Sequence, residues 1–99
     1  MKDLSSLSEI RVLGKTYTIK RFDFDKLVQH SELLGSVSHS KQEIQLHNND
    51  VCSENQEETL LHEILHIISR ELKLEFNEDT INRLSIGIFS VLKDNELIK

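Results

Sequence analysis

At 99 residues the chain suits a single domain, 1–99, with a modest core and no room for a second. Its 29% charged and 37% apolar residues fit a soluble globule, and its net charge of −5, with no basic stripe, argues against a nucleic-acid binder. The lone Cys52 excludes an intrachain disulfide, and no apolar run is long enough for a membrane span.

Residues 1–8 are polar with scattered leucines and are expected to be loosely held. No apolar run follows Met1-Lys2-Asp3, so no secretory leader is expected, and the cytoplasm is the expected compartment. Ile10, Val12, Tyr17 and Ile19 alternate on either side of Gly14-Lys15, which predicts a strand, a tight turn and a second strand, with Phe22 and Phe24 continuing the period of two. This hairpin is expected to run from an edge towards the centre of a sheet. Residues 25–34 space their apolar side chains for a short helix that Gly35 would stop, with His30 on its surface.

Val37, Ile44 and Leu46, with a turn at Lys41-Gln42, predict a second hairpin. His39 and His47 fall at polar positions of its alternation. Asn48-Asn49-Asp50 is a turn cluster, and Cys52 follows in a loop. A helix is predicted from Glu54 to Leu72, with Ser53 as its cap. Glu54, Glu57 and Glu58 lie in its first turns and Arg70 and Lys73 near its end, where the helix dipole favours each sign. A final helix is predicted over 78–93, capped by Asn77. Its stripe of Ile81, Leu84, Ile88, Val91 and Leu92 is read as core packing, and Gly87 as a point of close backbone approach.

The first of these two helices carries the chemistry. It contains His62-Glu63-Ile64-Leu65-His66. Histidines at i and i+4 project from one face, one turn apart, and can meet one Zn2+ at bonds of roughly 2.0–2.1 Å. Glu63 lies about 100° round the helix from its neighbour. It is free to take a proton from an activated water rather than bind the ion. Leu60, Leu61, Ile64, Leu65, Ile67, Ile68 and Leu72 form one apolar arc, and the two histidines fall outside it. The alternative is an amphipathic helix with two surface histidines and a coincidental glutamate.

The stretch Thr59–Ile68 resembles the extended signature of zincin metallopeptidases. The chain also resembles the small HExxH proteins of phages and prophages, akin in type to the ImmA/IrrE metallopeptidases. Besides the decapeptide, that likeness rests on Leu13-Gly14-Lys15-Thr16-Tyr17, Gln45-Leu46, Arg83-Leu84-Ser85 and Val91–Asn95. The resemblance implies an α+β, minimal zincin-like domain, with a small antiparallel or mixed sheet packed on the HExxH helix and a C-terminal helix. It implies one Zn2+ per chain and a phage-type regulatory or processing protease that cuts a protein partner. It also implies that Glu43–His47 is the sheet edge above the cleft, able to receive an extended peptide by strand addition.

The third ligand is less determined. The metzincin extension would need a glycine at position 69 and a histidine at 72, where this chain has Ser69 and Leu72. No histidine follows His66, so a downstream carboxylate or an upstream histidine is required. Among Glu71, Glu75, Glu78, Asp79, Asp94 and Glu96, the resemblance favours the acidic pair that opens the last helix, and Glu78 is preferred to Asp79. Strictly antiparallel helices would instead bring residues near Gly87 level with the histidines. Glu78 therefore requires a steep crossing or an early end to the first helix.

The reading is a zinc metallopeptidase of gluzincin-like type, with metal ligands His62, His66 and Glu78 and with Glu63 as catalytic base. Tyr17, His39 or His47 would stabilise the oxyanion. The alternatives are a non-catalytic zinc-binding interaction module and a metal-free domain whose motif is a relic.

Overall fold

The computed structural model describes residues 7–22, 35–47 and 53–98. The expected helix over 25–34, the turn cluster at 48–50, His30 and Cys52 lie outside them. The described elements are β1 (Glu9–Val12), β2 (Lys15–Phe22), β3 (Gly35–Ser38), β4 (Glu43–His47), α1 (Ser53–Glu71) and α2 (Glu78–Asp94). The class is α+β.

The four strands form one mixed sheet in the order β1-β2-β4-β3. β1 and β2 are an antiparallel hairpin in which Val12 pairs with Lys15, so Leu13-Gly14 is the two-residue turn. Both turn residues have positive φ, 51° and 83°, as the right-handed twist of a two-residue hairpin demands. β2 pairs in parallel with β4, and β3 pairs antiparallel with β4 through a turn in which Gln42 has φ 50°. The Glu43–His47 strand is therefore internal, which corrects the expectation that it forms the edge. β3 holds that place.

Alternation aims Tyr17 and Ile19 of β2, Ile44 and Leu46 of β4 and Val12 of β1 at α1, whose Leu60 and Ile67 complete the buried cluster. At about 1.5–3 kcal/mol for each fully buried large apolar side chain, this cluster is the main source of stability. Leu7, Ile10, Val37, Ile64 and Ile68 pack around it. Of the stretch 1–8, expected to be loosely held, residues 1–6 lie outside the described residues, and residues 7 and 8 are tied down. The Ile19 amide donates to the Ser8 carbonyl at 2.8 Å, and Arg21 Nη1 donates to the Leu7 carbonyl at 2.9 Å.

Two expectations about α1 change. Leu72 is outside the helix and exposed. Glu57 is not a solvated first-turn charge: it is buried, and it accepts an ion pair from Lys93 of α2 at 3.4 Å.

The stripe on α2 is only partly core. Ile81 and Ser85 are buried, whereas Leu84, Ile88 and Val91 are exposed. The helix is rotated so that the line through 81 and 85 faces inward, a small serine giving α1 room. Gly87 meets open space, so it mediates no close approach.

Both helices end in the same way. The Leu74 amide donates to the Ser69 carbonyl at 2.9 Å and the Lys73 amide to that of Arg70 at 3.2 Å, with Lys73 at φ 56°. Leu97 to Leu92 and Glu96 to Lys93, with Glu96 at φ 55°, repeat the pattern after α2. This is the Schellman closure, here built without glycine.

Candidate metal centre

The first closure positions the site. It reverses the chain after α1, and a second positive φ follows at Glu75. The Phe76 amide then donates to Ser69 Oγ at 3.1 Å, which pins the connector against the last turn of α1. Asn77 caps α2, its side chain accepting from the Thr80 amide at 2.8 Å. Because the connector has already returned to the level of Ser69, α2 starts close to His66. The antiparallel count that set residues near Gly87 beside the histidines omitted this return.

The consequence is convergence of three side chains. Glu78 Oε1 lies 2.7 Å from His62 Nε2, Glu78 Oε2 lies 2.9 Å from His66 Nε2, and the two Nε2 atoms are 3.2 Å apart. The imidazoles stand edge to face, with centroids 4.9 Å apart. Among the described residues these three form the one group of metal-ligand type whose donor atoms all lie within 4.8 Å of one another. Bonds of roughly 2.0–2.1 Å at tetrahedral angles would place two donors about 3.3 Å apart. The imidazole pair already has nearly that spacing. The group could hold a metal ion.

The other acids considered are engaged or positioned elsewhere. Glu71 binds Lys15 Nζ at 2.9 Å, and this contact holds its carboxyl below the ordinary range. Asp79 pairs with Arg83 at 3.0 Å, and Asp94 accepts from Ser90. Glu75 lines the cleft but is not one of the convergent group, and Glu96 is exposed beyond α2.

Glu63 sits beside the triad and is buried, with 6% of its surface exposed. Burial, assisted by the Glu78 charge, pushes its carboxyl up to about 7. It and the three convergent groups line one cleft of about 1060 Å³. α1 forms one wall, from Glu58 to Arg70, and Lys73 continues it just past the helix end. Ser36 and Val37 of the edge strand β3 face it, and Ile81 and Ser85 of α2 contribute below.

Of the three residues considered for the oxyanion, Tyr17 is in the core, 1% exposed, and lies off the cleft. His39 lines the cleft. Its Nδ1 is buried without a hydrogen-bond partner. Burial and the Arg70 guanidinium hold it below its ordinary pKa, against a smaller opposing effect of Glu71. The side chain of His47 lies outside the described set. Arg70 and Lys73 also line the cleft, although the sequence suggested only a dipole role for them. Arg70 is four residues past His66, a spacing that marks the same helix face.

No helix among the described residues is long and apolar enough to cross a membrane. Comparison with family models, curated proteins and solved structures gives no match for this chain.

Proposed function

We propose that the chain is a zinc-dependent metallopeptidase that hydrolyses a peptide bond in a protein partner, with His62, His66 and Glu78 as ligands and Glu63 as the catalytic base. The observation that carries this reading is the meeting of two imidazoles and a carboxylate beside a buried glutamate on an open cleft. Two nitrogen donors and one carboxylate are a donor set that suits Zn2+ and leaves a fourth position open. Bound there, the ion would supply Lewis-acid polarisation of a carbonyl and acidify a water.

The chain's own groups do the rest. Glu63 accepts the proton of the attacking water and delivers it to the leaving amine. Burial raises its pKa, whereas a cation beside it would favour the carboxylate form, the form needed for the first transfer. Among the described residues β3 is the outer strand with no further partner, and its edge would suit an extended peptide added as a further strand, with Ser36 and Val37 against it. Of Tyr17 and His39, His39 lines the cleft and would be the group available to a developing oxyanion. The setting that fits the resemblance is a regulatory or processing step of phage type in the cytoplasm.

The test is zinc stoichiometry together with hydrolysis of a mixed peptide library read by mass spectrometry. Glu63→Gln is expected to retain zinc and lose at least about 100-fold in rate. Glu78→Ala is expected to lose at least about 10-fold in zinc affinity, and Asp79→Ala to lose little. Hydrolysis indifferent to Glu63 would refute the mechanism. Zinc bound at one per chain with no hydrolysis of any peptide would leave a metal-binding interaction module instead.

A further inference from the structure

The cleft is electrostatically uneven along α1. On the side of the triad towards the helix start it is lined by Glu58 and Thr59, and on the other side by Arg70 and Lys73. Neither Arg70 nor Lys73 has an ion-pair partner among the described residues. The acid next in sequence to Arg70, Glu71, is held by Lys15 at 2.9 Å. Glu75 lines the same end from the connector without pairing to either cation. Counting Lys15 with Glu71 as neutral, this end holds two cations against one acid. His39 adds a buried, unpartnered Nδ1 here, close enough to Arg70 to feel its charge.

Resting on the metallopeptidase reading, we infer that Arg70, with Lys73 and His39 beside it, forms a subsite that recognises an acidic side chain of the peptide close to the bond to be cut. Position sets the distance. Arg70 follows His66 by one helical turn, a rise of about 6 Å. An extended peptide advances about 3.3 Å per residue, so the acid belongs about two residues from the scissile bond. A guanidinium matches a carboxylate in fork geometry, which suits Arg70 to the acid, and the Lys73 ammonium adds charge at the same end of the cleft. The overall charge of −5 acts at long range and favours cationic partners; the subsite acts on contact and selects the opposite sign at one position.

The experiment measures recognition separately from cleavage. The probes are heptapeptides of one neutral scaffold that carry Glu, Gln or Lys two residues before or two residues after the central residue. Their binding to zinc-loaded Glu63→Gln protein is followed by fluorescence anisotropy. The Glu peptide is expected to bind on the order of fivefold more tightly than the Gln peptide on one side only, since Arg70 is exposed and salt-screened before the cleft fills. Arg70→Ala is expected to bring that ratio towards one, Arg70→Lys to keep part of it, and Arg70→Glu to turn it towards the Lys peptide. Equal binding of Glu and Gln peptides, a ratio unmoved by Arg70→Ala, or no binding of any peptide would overturn the subsite. The unsubstituted protein is assayed for cleavage with the same peptides. Selective binding without cleavage would sink the peptidase reading and leave the subsite standing; cleavage without acid preference would do the reverse.

Discussion

Replacing Glu63 by glutamine should stabilise the metal-free chain by about 3 kcal/mol at pH 8 and leave it nearly unchanged at pH 4. The carboxyl is buried beside Glu78, and its pKa rises from 4.5 to about 7 on folding. At about 1.4 kcal/mol per pH unit, the ionised form therefore carries a penalty of about 3 kcal/mol in the folded chain. The sign follows from proton binding. Between pH 4.5 and 7 the folded state holds a proton that the unfolded state has lost, so stability falls as pH rises through this window. Above about 7 the penalty is complete; below about 4.5 it is absent. Glutamine has the same shape and no charge, so it removes the window. The assay is urea unfolding, followed by circular dichroism with a chelator present, at several pH values from 4 to 8. Parallel stability profiles for the two proteins would refute the reasoning, because they would mean that Glu63 does not titrate differently on folding. A side chain that costs stability where it sits, and whose loss is expected to abolish hydrolysis, shows stability conceded to a working site.

Further outcomes follow from features away from the acid. Leu13 holds φ 51° in a two-residue turn before Gly14, a conformation costly for leucine and natural for asparagine. Leu13→Asn is expected to raise stability by about 1 kcal/mol, visible as an increase in Tm; a decrease would mean that exposed Leu13 is held by packing. Lys93→Met strands the buried Glu57 carboxylate, one oxygen of which already has no hydrogen-bond partner. A loss of about 2–4 kcal/mol in urea unfolding is expected, with much of it recovered in Glu57→Leu/Lys93→Met; no recovery would show that the pair is not the source. Ser69→Ala removes the acceptor of the Phe76 amide and should lower zinc affinity several-fold in competition with a chromophoric chelator. Unchanged affinity would mean that the connector does not position Glu78.

What was legible in the sequence follows the range of the forces involved. The alternation of Ile10, Val12, Tyr17 and Ile19 and of Val37, Ile44 and Leu46 is local, and both hairpins stand where it puts them, although the first turn is centred on Leu13-Gly14. The bounds of α1 and α2, each met to within one residue, and Asn77 as a cap, are equally local. His62 and His66 face one another because the helix is there. What depends on tertiary pairing was not legible. Strand order is decided by which hairpin edge joins β2, and pairing through β4 turned the expected edge into an interior strand. The burial of Glu57 required a cation from α2 that its own helix does not reveal. The apolar stripe of α2 is wider than the face it buries, so periodicity alone did not say which of Leu84 and Ser85 points inward. Glu78 was singled out by resemblance; the physical reason it reaches the histidines is a pair of positive φ angles at Lys73 and Glu75, residues that carry no glycine signal.

The thin anchorage of α2 has a dynamic consequence. A helix of 17 residues that sinks only Ile81 and Ser85 depends for the rest of its docking largely on the Lys93–Glu57 pair, and Glu78 travels with it if it lifts away. An ion seated between the helices would act as a removable crosslink, adding its binding free energy to the docked state in proportion to the logarithm of its free concentration. Amide exchange along α2 would then slow as metal is supplied, while the strands exchange at their own pace. The C-terminal helix would in this way report metal supply as an opening rate.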